Sequence, residues 1–158
     1  MNSHTSTEYD ELMARAHKLV VQMGEHVRRQ VDDAVESLAT GSPELINQIL
    51  RHEAVVNQLE RSIDELAGQI IARRQPTAGD LRFVLAVVNM TTDLERVGDE
   101  AKKIALQARS IFSHGRPAQP RTMEVRRMAA IVQDMLASAV VALETLEPRA
   151  AVALARRD

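Results

Sequence analysis

Two sets of oxygen-bearing side chains stand at helical spacing in this sequence. Glu95 and Asp99 are four residues apart, which on a helix stacks both carboxylates on one face. Glu53, Asn57, Glu60 and Asp64 follow one another at spacings of four, three and four, forming a second row along one helix edge. Two facing rows of oxygen donors suit a hard or borderline cation such as Mg2+, Mn2+, Fe or Zn2+. The same spacing also fits surface carboxylates paired with Arg51, Arg61, Lys102 and Lys103. Spacing alone leaves both readings open.

Other chemistries have less to build on. A carboxylate bundle that handles oxygen carries Glu-x-x-His on two helices, and none of His4, His17, His26, His52 and His114 has a glutamate three residues before it. These histidines are expected to face solvent or to cap helices. There is no Gly-x-x-x-x-Gly-Lys-Ser/Thr, Gly-x-Gly-x-x-Gly or Gly-x-Ser-x-Gly motif, so nucleotide binding and acyl transfer have no motif behind them. No catalytic residue and no organic cofactor is assigned.

The elements that must position these side chains are helices. The chain has 158 residues, 45% of them apolar, but only one Tyr, two Phe and no Trp. Strand-rich domains draw on aromatic residues and on turn glycines and prolines; six Gly and five Pro are too few for a sandwich or barrel. Acidic and basic residues nearly balance, giving a net charge of −2, so the basic field of a nucleic-acid-binding protein is missing. The absence of cysteine leaves no thiolate site and fits a reducing compartment. No apolar run approaches the ~20 residues of a membrane span, and no leader is visible in the first residues, so a cytoplasmic location is expected.

Thr5 with Glu8 reads as a capping box, followed by apolar residues at spacings of three and four from Leu12 to Leu38. Gly41-Ser42-Pro43 ends that helix and opens the next, with Ser42 as N-cap and Pro43 at the first helical position. The second helix must stop before Gln75-Pro76. Thr77 with Asp80 opens a third helix that runs to Phe112. Residues 113–121, with two prolines, read as a linker. A fourth helix spans about Met123 to Leu146, and Pro148 starts a fifth.

With an offset of 105, residues 20–53 align with 125–158 without a gap: Val20 on Val125, Met23 on Met128, Val27 on Val132, Val35 on Val140 and Pro43 on Pro148. This predicts an internal repeat. Residues 5–112 form a complete up-and-down three-helix bundle, and 122–158 an incomplete second copy, all-α throughout. The fourth helix then lacks partners for its apolar face and must dock on the first unit or on another copy of the chain.

Ala72-Arg73-Arg74-Gln75-Pro76-Thr77-Ala78-Gly79-Asp80-Leu81-Arg82 and Asp93-Leu94-Glu95-Arg96-Val97-Gly98-Asp99 resemble the signature of the PhoU family, regulators of phosphate transport in bacteria and archaea. The resemblance implies two tandem three-helix bundles and a divalent or trivalent metal ion (Fe, Zn, Mg or Mn) held by paired acidic motifs. In this chain those are Glu53 with Asn57 and Glu95 with Asp99. It implies a non-enzymatic regulator of phosphate uptake that exerts negative control of the phosphate regulon. Its implied partners are the phosphate-transporter ATPase subunit and a sensor histidine kinase, with a homodimer or higher homo-oligomer as the assembly. Asn57 is neutral where the family often has Asp, which removes one charge from the site. Asp158 is the position where the next acidic motif would begin. A structural, metal-free helical scaffold and a metal-dependent carboxylate-bundle enzyme are the alternatives.

Overall fold

Amphipathic segments of this length gain most of their stability by burying one face against a neighbour, and that requirement sets the architecture. The computed structural model describes residues 3–74, 78–115 and 122–145. They form α1 (Ser3–Thr40), α2 (Pro43–Arg74), α3 (Ala78–Ser113) and α4 (Met123–Thr145), with no strand among the described residues. α1 begins at Ser3, so Thr5 lies inside the helix instead of capping it. Once a packed segment has nucleated a helix, adding an upstream turn costs little. Thr77, the linker residues 116–121 and the segment from Pro148 lie outside the described residues.

The turn between α1 and α2 follows its sequence closely. Gly41 takes φ 67°, the left-handed conformation that favours glycine just past a helix end, and its N–H donates to Ser37 O at 2.7 Å. Ser42 Oγ accepts from the Leu45 N–H at 3.3 Å and donates to Glu44 Oε2 at 2.8 Å, closing the N-terminus of α2. α2 ends at Arg74, before Gln75-Pro76 as expected.

α1, α2 and α3 pack against one another around Val20, Met23, Val27, Val56, Ile63, Ile70, Val84, Val87 and Leu94. A second cluster, Ala34, Ile46, Ile49, Ala101 and Ala105, fills the end near the α1–α2 turn. The buried hydroxyls of Ser37 and Thr91 donate to the carbonyls of Ala34 and Val87 within their own helices, so neither goes unpaired.

α4 docks along α1; among the described residues its backbone does not come close to that of α2 or α3. The contact joins repeat-equivalent positions. Arg28 Nε donates to Gln133 Oε1 at 3.1 Å and Gln133 Nε2 donates to Arg28 O at 2.6 Å, across 105 residues. A position meeting its equivalent at the 105-residue offset is what a local two-fold between α1 and α4 produces. The two helices differ in cover, however. Met23 and Val27 are 0% exposed, whereas their equivalents Met128 and Val132 are 66% and 36% exposed. Between α1, α3 and α4 lies an apolar groove of about 510 Å3, whose lining includes Val31, Val35, Val97, Ile104, Met128 and Val132.

Candidate functional site

The acidic rows meet at the seam between α2 and α3. Glu53 is on the core side of α2, only 7% exposed, and Asn57, one turn on, is half-buried. Glu95 and Asp99 are half-buried on α3, while Asp93, Arg96, Glu100 and Lys103 face solvent. Glu60 is half-buried and Asp64 exposed, so the α2 row leaves the seam at its C-terminal end. Gly98 is buried at the crossing; a Cβ there would lie 3.0 Å from Gln30 Oε1 and 3.6 Å from Glu53 Oε2, so a bare backbone lets α3 come this close.

The buried Glu53 carboxylate is held from three helices. Gln30 Nε2 of α1 donates to Oε2 at 3.1 Å. Lys102 Nζ of α3 donates to Oε1 at 3.2 Å, and Asn57 Nδ2 makes a longer contact of 3.5 Å with the same oxygen. Lys102 also reaches Asp99 Oδ1 at 3.3 Å. Its ammonium thus stands between the α2 and α3 acids, one cation shared by two carboxylates. The pairing expected for Lys102 in the surface-charge reading is therefore present, while Lys103 pairs outward with Glu100.

Charge and burial leave marks on both signs. Glu95 has its pKa raised by burial first and then by Asp99, Glu60 and Glu53, with Lys102 acting the other way. The Lys102 pKa is raised chiefly by its hydrogen bond to Glu53, against the opposing effect of burial. A carboxyl with a raised folded pKa binds more protons folded than unfolded, so its contribution to stability falls as pH rises through the interval above about 4.3. In chelator, Glu95→Gln should therefore melt above the wild type at pH 7, with the two curves converging below pH ~4; a thermal melt series checks this.

Do these residues fit a metal ion? As the side chains stand, no three His, Asp or Glu groups among the described residues close around one point. The donor set nevertheless suits a cation. Glu53 and Asp99 already share the positive charge of Lys102, and two buried carbonyl oxygens, Gln30 Oε1 and Asn57 Oδ1, have no hydrogen-bond partner among the described residues. Orphaned buried acceptors are costly, and a hard cation is the kind of group that relieves them.

A second polar cluster occupies the α1–α2 seam, and sequence reading missed it. His26 and His52 are half-buried with Nδ1 atoms 2.8 Å apart and ring centroids 5.0 Å apart, so the expectation that they face solvent or cap helices is corrected. The signal was available: His26 precedes the core residue Val27, and His52 lies three after Ile49 and four before Val56, at the edges of two apolar stripes. Burial, then His52 and Arg29, lower the His26 pKa. Asp33 has its pKa raised, first by burial, with His52 opposing; its Oδ2 is buried without a hydrogen-bond partner among the described residues.

Long antiparallel helices with a carboxylate-rich seam define an all-α bundle whose polar machinery lies between helices and not in an open cleft. Residues 20–108 match the PhoU domain, and the chain belongs to the PhoU family. It is 35% identical to the phosphate-specific transport system accessory protein PhoU homologue of Pseudomonas aeruginosa, over all of this chain and 65% of that protein. The Burkholderia homologue is 34% identical over 68% of its length, and Escherichia coli PhoU is 31% identical over 65%. The crystal structure of P. aeruginosa PhoU superimposes with a TM-score of 0.86 at 34% identity, covering 94% of this chain and 70% of that one. Streptococcus pneumoniae PhoU, at 23% identity and a TM-score of 0.81, shares the fold. The chain thus spans just under two thirds of the P. aeruginosa and E. coli proteins.

Proposed function

We propose that this chain is a non-enzymatic regulator of phosphate uptake, acting in the cytoplasm through its helix surfaces on the phosphate-transporter ATPase subunit and a sensor histidine kinase. In this reading Glu53, Asn57, Glu95 and Asp99 hold a divalent or trivalent metal ion (Fe, Zn, Mg or Mn). The family membership and the relatives' description as transport-system accessory proteins support the regulatory part. The observation that carries the metal part is the convergence of Glu53 and Asp99 on one positive charge beside two orphaned oxygens. When bound, the ion supplies a fixed positive charge that ties α2 to α3; Gln30 orients the Glu53 carboxylate toward it.

Elemental analysis of the purified chain tests this. We expect bound metal in the wild type and at least a tenfold loss in Glu53→Gln/Asp99→Asn, with the helical circular dichroism signal kept. The Lys102 pairs favour one competing reading, a metal-free structural scaffold; equal metal content in the wild type and the double variant would establish that reading instead. The exposed α4 residues Met128, Ile131 and Val132 support a homodimer or higher homo-oligomer, since an apolar face of this kind gains by being covered.

A further inference from the structure

Gln30 stands where an apolar residue is expected. With Met23, Val27 and Ala34 it continues the core stripe of α1 at spacings of four, three and four, and all four residues are 0% exposed. The position that the repeat equates with it, 105 residues on, is Met135, a side chain of similar length without the amide. Burying a primary amide is costly unless both of its ends are paired. The donor end is paired: Nε2 gives a hydrogen bond to Glu53 Oε2 at 3.1 Å. A carboxylate only accepts, so this bond fixes which way round the amide lies. The carbonyl end is not paired, for Oε1 is buried with no hydrogen-bond partner among the described residues. Tyr9, Asp33 and Asn57, which hold the other orphaned oxygens there, are half-buried. Gln30 alone of the four has no exposed surface.

Gly98 shows where that oxygen is aimed. A Cβ on Gly98 would lie 3.0 Å from Gln30 Oε1 and 3.6 Å from Glu53 Oε2. Both acceptors therefore border one small space that the missing side chain leaves on α3, and Asp99 is the next residue along that helix. Two oxygen acceptors bordering one space repel each other, whereas a hard cation is attracted to both. The orphaned carbonyl is thus directed into the acidic seam from the one helix that supplies no carboxylate to it.

We propose that Gln30 Oε1 is a ligand of the cation in the acidic seam, so that the ion joins α1 to α2 and α3. This rests on the metal reading above and adds a third helix to it. With Gln30 and Asn57, two neutral amide carbonyls stand beside the carboxylates, an all-oxygen set of the kind that Mg2+ and Mn2+ take. The bond to Glu53 serves the same end: the amide N–H holds the carboxylate in place while the carbonyl faces the ion. Because the ligands come from three helices, occupation stabilises the packing of α1 as well as the α2–α3 seam, by linkage.

The test uses Eu3+, a hard luminescent ion whose emission lifetimes in H2O and D2O count the waters bound to it. We expect saturable binding to the chelator-stripped chain, abolished in Glu53→Gln/Asp99→Asn. Gln30→Met, which takes the residue of the repeat-equivalent position, should keep the helical circular dichroism signal. It should weaken Eu3+ binding about tenfold or more and add about one coordinated water; a side chain that only packs would leave the water count unchanged. Equal affinity and equal water count in Gln30→Met overturn the ligand role while leaving Glu53 and Asp99 as the site. Absence of saturable binding to the wild type overturns the ligand role together with the metal reading. Should Gln30→Met fail to fold, Mg2+ titration of the carbon-13-labelled wild-type chain decides by NMR. A saturable shift of the Gln30 side-chain carbonyl in step with the Glu53 carboxylate supports the ligand role, and a shift of Glu53 without Gln30 defeats it.

Discussion

Replacing Gly24 with leucine is expected to release α4 from α1 while the α1–α3 bundle stays folded. Gly24 is buried on α1, and a Cβ built there would lie 2.7 Å from Val140 Cγ2 and 4.0 Å from Leu94 Cδ1. Carbon atoms prefer a separation of about 3.5–4.0 Å, so even alanine would press on Val140, and leucine adds three further carbons. Val140 is 9% exposed and is α4's one core residue among those described. Displacing it leaves α4 held by the partly buried Leu136, by Arg28–Gln133 and by the exposed Arg126–Glu36 pair, and exposed pairs contribute little. Overpacking of this kind costs about 1–3 kcal/mol, a large share of what one helix docked chiefly along one neighbour can gain. The bundle itself is spared, because leucine is the better helix former by roughly 0.5–1 kcal/mol. Hydrogen exchange should show lost protection across residues 123–145 and retained protection in α2 and α3. Unchanged protection of α4 would mean that Gly24 does not set the α1–α4 approach.

Lys102→Met should have the opposite consequences with and without metal. Lys102 is the countercharge of the buried Glu53 carboxylate and of Asp99. Removing it strands a carboxylate whose side chain is 9% exposed, at a cost of about 1–2 kcal/mol once the partial exposure of the lysine is discounted. In chelator, the variant should melt lower than the wild type. With Mn2+ or Mg2+ present, the same change should raise cation affinity about tenfold or more, because the competing ammonium is gone and two carboxylates remain. Calorimetric titration of both proteins checks the second part. Equal affinities would show that Lys102 and the ion do not compete for one position. A pH series adds a sign. The raised Lys102 pKa means that its contribution is fully present below about pH 10.4 and is lost as pH rises through the folded value. The stability gap in chelator should therefore narrow only in strong alkali.

The turn Gly41-Ser42-Pro43 and the stop before Gln75-Pro76 were legible because their causes are local: φ preference, a side-chain cap and a proline ring act over a few residues. The apolar stripes of α1, α2 and α3 were legible for the same reason, as were the outward positions of Asp93, Arg96, Glu100 and Lys103, since helix period alone assigns residues to faces. The start of α1 was not, because a cap signal at Thr5 competes with cheap propagation upstream. The histidines failed for another reason. The faces of His26 and His52 follow from helix period, but their meeting depends on the register of α1 against α2.

By itself the sequence determined an all-α chain, the turn between α1 and α2, the end of α2, and the acid-bearing faces of α2 and α3. Tertiary structure alone decided that Lys102 stands between Glu53 and Asp99, that Gln30 reaches across from α1, that α4 lies on α1 through Gly24 and Val140, and that His26 meets His52. Helix period is encoded every three or four residues, whereas the register between helices is settled by packing among side chains far apart in the chain. Arg28 against Gln133, 105 residues apart, is such a case: each residue reads as an ordinary helix-surface position until the helices are docked.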